Sequence, residues 1–469
     1  MKSKCIIKKS IATLLSVTMV MSLSACGGAD TNNDEGNSSE SDTSSQSSEA
    51  KAYKDLVLGE DNTDLSADIK FITHKTDIVD TRLREYADQF NELYPNITVE
   101  FEGITNYADD FTMRLTTGDW GDICMIPMSV SKDELTNYFL SFGSQEELSE
   151  NYEGALLNNY SYDSQTYGLP YMATAVGMVY NKAVFEEAGI SETPKTPDEF
   201  LEALQLIQDN TDAIPLYTNF AAGWTMTAWD AYIDSGATGD PDFVNEGLVK
   251  GENPFSDRGD ETGPYAVYNT LYSSVEMGLT EDDPTTTDWE GSKGMMNNGE
   301  IGVMALGSWA IVQMQEAGDN ADDIGYMPFP ISVDGEQYAL TSPDYNYGIN
   351  VNSSDENKLA SQLFIKFLIE ESSFTADEGG ISIIKGSEMP SVLDSFSDTT
   401  LITNTAAPEG EETLFDDINN ESELGINMSG ALATEVVENA TTGAKTYDEL
   451  VESWNEKWTN AQEKYGITH

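Results

Sequence analysis

From residue 67 the chain spells out a strand, a helix and a strand in direct succession, and that order restricts the fold more than any other feature. In ADIKFIT (67–73), Ile69, Phe71 and Thr73 alternate with Asp68, Lys70 and Ile72, the period-two signature of a strand. A polar loop, His74 to Asp77, follows. In DTRLREYADQFNELYP the residues Leu83, Tyr86, Ala87, Phe90 and Leu93 recur at helical spacing, with Asp80 placed to cap the start and Pro95 to stop the end. Asn96 to Phe101 alternates again, with Ile97, Val99 and Phe101 on one side. This is the βαβ unit of an α/β domain.

The alternation continues along the chain. Asp109 to Thr117 reads as a helix, Gly118 and Gly121 bracket a turn, and Ile123 to Ile126 is a short buried strand. Thr196-Pro197-Asp198-Glu199 has the capping-box pattern, with a helix from Phe200 to about Gln208. IGVMAL (301–306) reads as a buried strand and Trp309 to Ala317 as a helix. Asn357 to Glu370 is amphipathic, with Leu359, Leu363, Phe367 and Leu368 inward. No repeat of fixed period is present. Sheet and helix elements alternating throughout favour α/β lobes over a β-sandwich.

The N-terminal segment is of another kind. Lys2, Lys4, Lys8 and Lys9 precede the mostly apolar, uncharged run Ile11 to Leu23. That run is shorter than the roughly 20 residues a bilayer span needs and suits a signal-peptide core. Ser24 and Ala25 stand just before Cys26, as at a cleavage site. Leu23-Ser24-Ala25-Cys26 resembles the lipobox of bacterial lipoproteins. The resemblance implies that residues 1–25 are removed and that Cys26 becomes the first mature residue and carries the lipid. An ordinary secretory peptide with an incidental cysteine is the alternative. Gly27 to about Ala50 is rich in Ser, Asp, Asn and Gly; such a chain cannot bury enough surface to offset its ordering entropy. A disordered linker over 26–55 is therefore expected. The remainder, roughly 415 residues, exceeds what one core usually serves, so two domains are expected.

Composition excludes several classes. The formal charge is −60, and loss of residues 1–25 makes it −64. So acidic a surface repels nucleic acid and anionic headgroups. Cys5 leaves with the signal peptide and Cys26 is lipidated, so Cys124, between Ile123 and Met125, stands alone as a small buried hydrophobe. No intramolecular disulfide and no zinc-type cysteine cluster are possible. The histidines are His74 and His469, so a Ser-His-Asp or Cys-His enzyme would have to use His74. Acidic stretches such as DNTDLSAD, GDPDF and TEDDPTTTD lack the full spacing of a calcium loop and read as solvated. No metal and no cofactor are expected. No apolar run after Cys26 is long enough to span a membrane, so the lipid is the expected anchor.

Several segments, in order, resemble the sugar-binding (family 1) extracellular solute-binding proteins of ABC importers. YGLPYMATAVGMVYNKAVFEEAGI (167–190) followed by PKTPDEFLEAL is similar to the family's strongest signature, with Pro197 in place of the usual tryptophan. NGEIGVM (298–304) and GSWA (307–310) resemble its strand and turn, YGINVNSSDENKLASQLFIKFLIEE (347–371) its late helix block, and GDWGDICMI its "GdaPDV" segment without the proline. The resemblance implies a two-lobed periplasmic-binding-protein fold (type II) of α/β class, with a hinge and an interlobe ligand cleft. Lobe one is expected over 60–169 plus 331–385, and lobe two over 170–330 plus 386–469. The implied protein does no bond chemistry. It is a monomer anchored by its lipid outside the cell, on the outer face of the cytoplasmic membrane of a Gram-positive organism, capturing a carbohydrate for an ABC permease. A surface glycoside hydrolase is the enzymatic alternative, but no stretch singles out a carboxylate pair. A receptor for a peptide or polyamine is the other.

Sugars present apolar C–H faces and a rim of hydroxyls, so aromatic rings and carboxylates or amides are the groups to look for. Trp309 follows a strand and the turn Gly307-Ser308, and its family counterpart stacks on the sugar; packing of helix against sheet is the other role open to it. Thr174 occupies the position where the maltose-binding member has a ligand carboxylate. Tyr171 lies in the same crossover, as a hinge or a core residue. In TNFAAGWTMTAWD (218–230), Trp224 and Trp229 are five apart and share no helix face; Trp224, after Gly223, is the one expected in the cleft, and Asp230 is a candidate beside it. His74, Asp77 and Asp80 end the first strand at the carboxyl edge, where α/β ligands bind, with Asp80 read as a helix cap. Asp344 and Tyr345 precede the late strand, facing the cleft or a solvated loop.

Overall fold

The expected strand-helix-strand is present in a computed structural model of the chain, which describes residues 51–118 and 120–469. The signal peptide, Cys26 and the low-complexity stretch to residue 50 lie outside the described residues. Strands β1 (Ala67–Thr73) and β2 (Ile97–Gly103) run parallel, from Ala67 opposite Ile97 to Thr73 opposite Gly103. Between them the helix Arg82–Leu93 buries Leu83, Tyr86, Ala87 and Phe90. Asp80 does not cap this helix. Thr81 holds the cap position, and Asp80 instead pairs with Arg84 at 2.7 Å on the exposed face. Its carboxylate gains more from the guanidinium one turn on than from the backbone.

Nine further strands complete the two main sheets: β3 (Ile123–Met125), β4 (Leu169–Pro170), β5 (Ala173–Asn181), β6 (Ile214–Leu216), β7 (Ile301–Gly307), β8 (Ile324–Pro328), β9 (Tyr338–Pro343), β10 (Asn346–Ile349) and β11 (Thr400–Ile402). The first sheet has the order β2-β1-β3-β10-β4, and the second β11-β9-β5-β7-β6 with β8 also on β5. Both are mixed. β3 joins β1 in parallel, whereas β10 is antiparallel to β3. β5 is the axis of the second sheet, and its residues alternate between two apolar cores. Ala175 and Val179 face a core that continues under the first sheet, and Val176 and Met178 face the other. Gly177 has no room for a side chain: a Cβ there would lie 2.5 Å from the Met327 carbonyl oxygen.

The chain passes between the sheets three times, the last time through residues 350–399 from β10 to β11, and the first two links are adjacent. Tyr171-Met172 leads from β4 to β5, and Asp344-Tyr345 returns from β9 to β10. They run side by side, Tyr171 N–H donating to the Tyr345 carbonyl at 3.4 Å and Asp344 N–H to that of Met172 at 3.2 Å. This return falls later than residue 331. The segment after β8 loops out through Asp334-Gly335, both at positive φ, and β9 then resumes the edge of β5 that β8 had occupied.

Thr196 accepts the Glu199 N–H at 3.2 Å and starts the helix Pro197–Asn210, while the Glu199 carboxylate takes the Lys195 N–H at 2.8 Å. The ordered body begins ahead of residue 55. Tyr53–Asp55 forms a turn of 3-10 helix, and Tyr53 and Leu56 are buried in the first core. Two large apolar side chains four residues or less apart suffice to dock this segment. Residues 51–469 form one compact unit.

Candidate ligand-binding site

The carboxyl ends of β1 and β3 carry the first group of side chains. His74 stacks on Tyr345, with ring centroids 4.3 Å apart and planes at 28°, and Tyr107 meets both rings edge-on at 5.9 and 6.0 Å. Tyr107 is held by the end of β3: its hydroxyl accepts the Met125 N–H and lies 2.8 Å from the Met125 carbonyl oxygen. The His74 Nδ1 is enclosed and has no protein partner. Burial, and then the adjacent Lys75, hold its pKa well below the ordinary value. His74 is therefore held in its neutral form.

Beneath it lies a charged layer that sequence reasoning missed. Lys75 pairs with Glu378 at 2.6 Å, both side chains only 6% exposed. The ammonium also stands 5.6 Å from the Tyr171 ring, and Glu378 has Arg82 at 3.5 Å on its other oxygen. Lys75 and Glu378 are 303 residues apart, so no local spacing could announce the pair. Tyr171, 1% exposed, donates its hydroxyl to Asp344. This bond fastens the two inter-sheet links together. Burial raises the Asp344 carboxyl and Lys75 opposes that rise. Tyr171 and Asp344 thus support the site from behind, and Tyr345 and His74 form its surface.

The second group is aromatic. Ser308 closes the end of β7 by exchanging hydrogen bonds with the Ala175 backbone, its N–H donating to the carbonyl at 3.0 Å and its hydroxyl accepting the Ala175 N–H at 3.1 Å. The turn then folds the Trp309 indole back over Gly307, where a Cβ would meet Nε1 at 2.6 Å. Trp309 lies 5.9 Å from Trp224 and 5.6 Å from Trp289, and Trp224 and Trp289 are 5.2 Å apart at 80°. Trp224 is 49% exposed, and the other two are half-buried. Lys293 stands 4.9 Å over the Trp289 ring. Three indoles with mutually inclined planes therefore form one partly open platform. Trp289 was not among the expected residues. It follows the acidic stretch read as solvated, where Asp288 in fact caps its helix by accepting the Gly291 N–H at 3.1 Å.

The remaining expected residues are placed elsewhere. Trp229 is a core residue, edge-on to Phe329. Asp230 is buried as well. It accepts the Tyr268 hydroxyl at 2.7 Å and the Asn427 N–H at 2.9 Å, and burial pushes its pKa up to about 7. Those two donors, supplied by distant segments, hold it inward. Thr174 is buried in β5 opposite Ser342, and Asp77 is exposed beyond His74. Trp309 and Tyr345 pack against the same apolar core. A surface groove of about 580 Å³ lies along the helix Tyr447–Lys464, and acids and amides dominate its lining.

The family model for bacterial extracellular solute-binding proteins matches residues 76–373. A manno-oligosaccharide-specific solute-binding protein of Bifidobacterium animalis subsp. lactis, solved with mannotriose, is 46% identical over 88% of this chain and 99% of its own, with a TM-score of 0.85. An ABC-transporter binding protein of the same organism, solved with mannobiose, is 47% identical over the same shares, also at 0.85. The multiple sugar-binding protein of Streptococcus mutans is 21% identical over 309 residues, 64% of this chain and 70% of that one. With the family model spanning more than half its length, this chain belongs to the bacterial extracellular solute-binding proteins, which bind solutes and are not enzymes.

Proposed function

We propose that this protein is the receptor of an ABC importer for short manno-oligosaccharides. The observation that carries the reading is the Trp224-Trp289-Trp309 platform. Indole faces cover the apolar C–H faces of sugar rings, and planes inclined to one another suit successive rings of a bent oligosaccharide. His74 and Tyr345, the stacked pair at the end of β1, are assigned to the sugar hydroxyls in this reading. The two Bifidobacterium proteins, solved with mannobiose and mannotriose at 46–47% identity, support mannose as the sugar. The two lobes close on the ligand about the paired links at Tyr171-Met172 and Asp344-Tyr345. In this reading Cys26 carries the lipid that holds the receptor outside the cell beside its permease, and the segment to residue 50 is the tether.

The test is calorimetric titration of residues 51–469 with mannobiose, mannotriose, maltotriose and raffinose, with a polyamine and a tripeptide as controls. Saturable binding of the mannosides alone is expected. A polyamine or peptide binding in place of every sugar would keep the fold and overturn the ligand.

A further inference from the structure

The segment that carries Trp224 is held from outside itself. After β6 it turns at Asn219 and Gly223, both at positive φ, and forms two single turns of 3-10 helix, Phe220–Ala222 and Trp224–Met226. Met226, buried in the second core, anchors its far end. Its near end leaves the sheet after Tyr217, whose N–H donates to the Val303 carbonyl at 3.0 Å. From there it runs along the segment 280–288, which starts beside β6, with Thr280 bridged to Leu216, and leads directly into Trp289. Side chains join the two segments. The Glu281 carboxylate accepts from Thr218 twice, from the N–H at 2.9 Å and from the hydroxyl. The Thr287 hydroxyl accepts the Ala221 N–H at 2.8 Å and donates to the Pro284 carbonyl at 2.9 Å. The Tyr217 hydroxyl accepts the Asp288 N–H at 2.8 Å.

None of these groups is an indole, yet together they fix where two indoles stand. Trp224 is half-exposed, so burial does not hold its ring, and its place follows from its backbone. Trp289 inherits its place from Asp288, the residue before it. Thr218 and Thr287 are buried, so water competes little for their bonds, and a donor left without its acceptor there is costly. Resting on the sugar-binding reading above, we propose that Glu281 and Thr287 are positioning residues for the ligand, holding Trp224 against Trp289 at 5.2 Å and 80° so that the exposed end of the platform is formed before a sugar arrives. A face set in advance binds more tightly than one the ligand must first order. The acidic run TEDDPTTTD is in this way a brace between the two indoles, with Glu281 and Thr287 as its points of attachment to the Trp224 segment.

The test titrates mannotriose into residues 51–469 carrying Glu281→Gln, Thr287→Val or Thr287→Ser, each alone and combined with Trp224→Ala. Glu281→Gln leaves a single carbonyl oxygen for two donors, Thr287→Val keeps the shape and removes the acceptor, and Thr287→Ser retains it. Thermal unfolding without ligand checks that each variant folds, and near-UV circular dichroism of the free protein reads the coupling among the indoles. The expected result is about a fivefold loss of affinity for Glu281→Gln and for Thr287→Val, the cost of ordering one side chain on binding. Thr287→Ser should bind like wild type, and neither weakening change should add a loss on top of Trp224→Ala. Both should also remove indole signal that Trp224→Ala removes. Wild-type affinity in Glu281→Gln and Thr287→Val would overturn the proposal. So would an undiminished loss on top of Trp224→Ala, because the two residues would then act without passing through that indole. If one variant does not fold, the other carries the same test. If wild type binds no mannoside while the shared change in indole signal remains, the positioning of Trp224 stands and the sugar reading fails; without that shared change both fail.

Discussion

Gly307→Ala is the sharpest test of the tryptophan platform, because it removes no group that could touch ligand. The added methyl carbon would lie 2.6 Å from the Trp309 Nε1 and 2.7 Å from its Cδ1, where ordinary contact is 3.4–4 Å. The indole must therefore retreat by about 0.8 Å, and a radial gap of about that size forfeits up to about half of a dispersion contact. If one indole face covers about 80 Å² of sugar, at about 25 cal/mol per Å² the stack contributes about 2 kcal/mol. Trp309→Ala should then weaken mannotriose binding ~30-fold, and Gly307→Ala ~5-fold. Titration calorimetry reads both, and a thermal melt of the free protein separates affinity from stability. Trp309 is half-buried and can swing outward, so the alanine at 307 should lower stability only slightly. Affinity unchanged in both variants would refute the reasoning and leave Trp309 a packing residue. A weak Trp309→Ala beside an unaltered Gly307→Ala would refute the steric link alone.

Other expectations follow from the same geometry. Trp224→Ala should weaken binding ~10-fold or more by the same arithmetic, with little change in melting temperature because that ring is half-exposed. Lys75→Met strands Glu378 in the interior and should lower unfolding free energy by ~3 kcal/mol; Lys75→Met with Glu378→Gln should recover part of it in urea titrations. The Asp230 carboxyl, with its pKa raised to about 7 by burial, is protonated longer in the folded than in the unfolded chain. Its contribution is most favourable below the unfolded value near 4 and is lost as pH rises toward about 7. Asp230→Asn should flatten that part of the stability profile, measured as urea midpoints from pH 4 to 8.

Local chemistry was readable wherever it was local. β1 lies where alternation puts it, the strand at 301–307 where its apolar run does, and Thr196 caps its helix as its neighbours imply. Trp309 is prominent in the sequence because a strand end, two small residues and a lone indole occur together. What stayed hidden depends on distance in sequence. Glu378 reaches Lys75 only through the tertiary fold, and Asp230 looked like a loop acid until Tyr268 and Asn427 claimed its oxygens. Trp289 was hidden by its company: threonines and acids read as solvent-facing, although two of those acids, Asp283 and Asp288, were spent on capping helical turns. The pairing of β9 with β5 beyond the Asp334-Gly335 turn is another such feature, because no local pattern announces which sheet residues 338–343 join.

Cys124 offers a practical consequence. It is the one thiol in residues 51–469, it is fully buried, and burial raises its pKa well above that of an exposed thiol. Both conditions suppress the thiolate on which alkylation depends. A single cysteine introduced on either rim would therefore take up a maleimide dye with little background. A pair of them, one on each side, would give a distance ruler for opening and closing without first stripping the natural sequence of thiols.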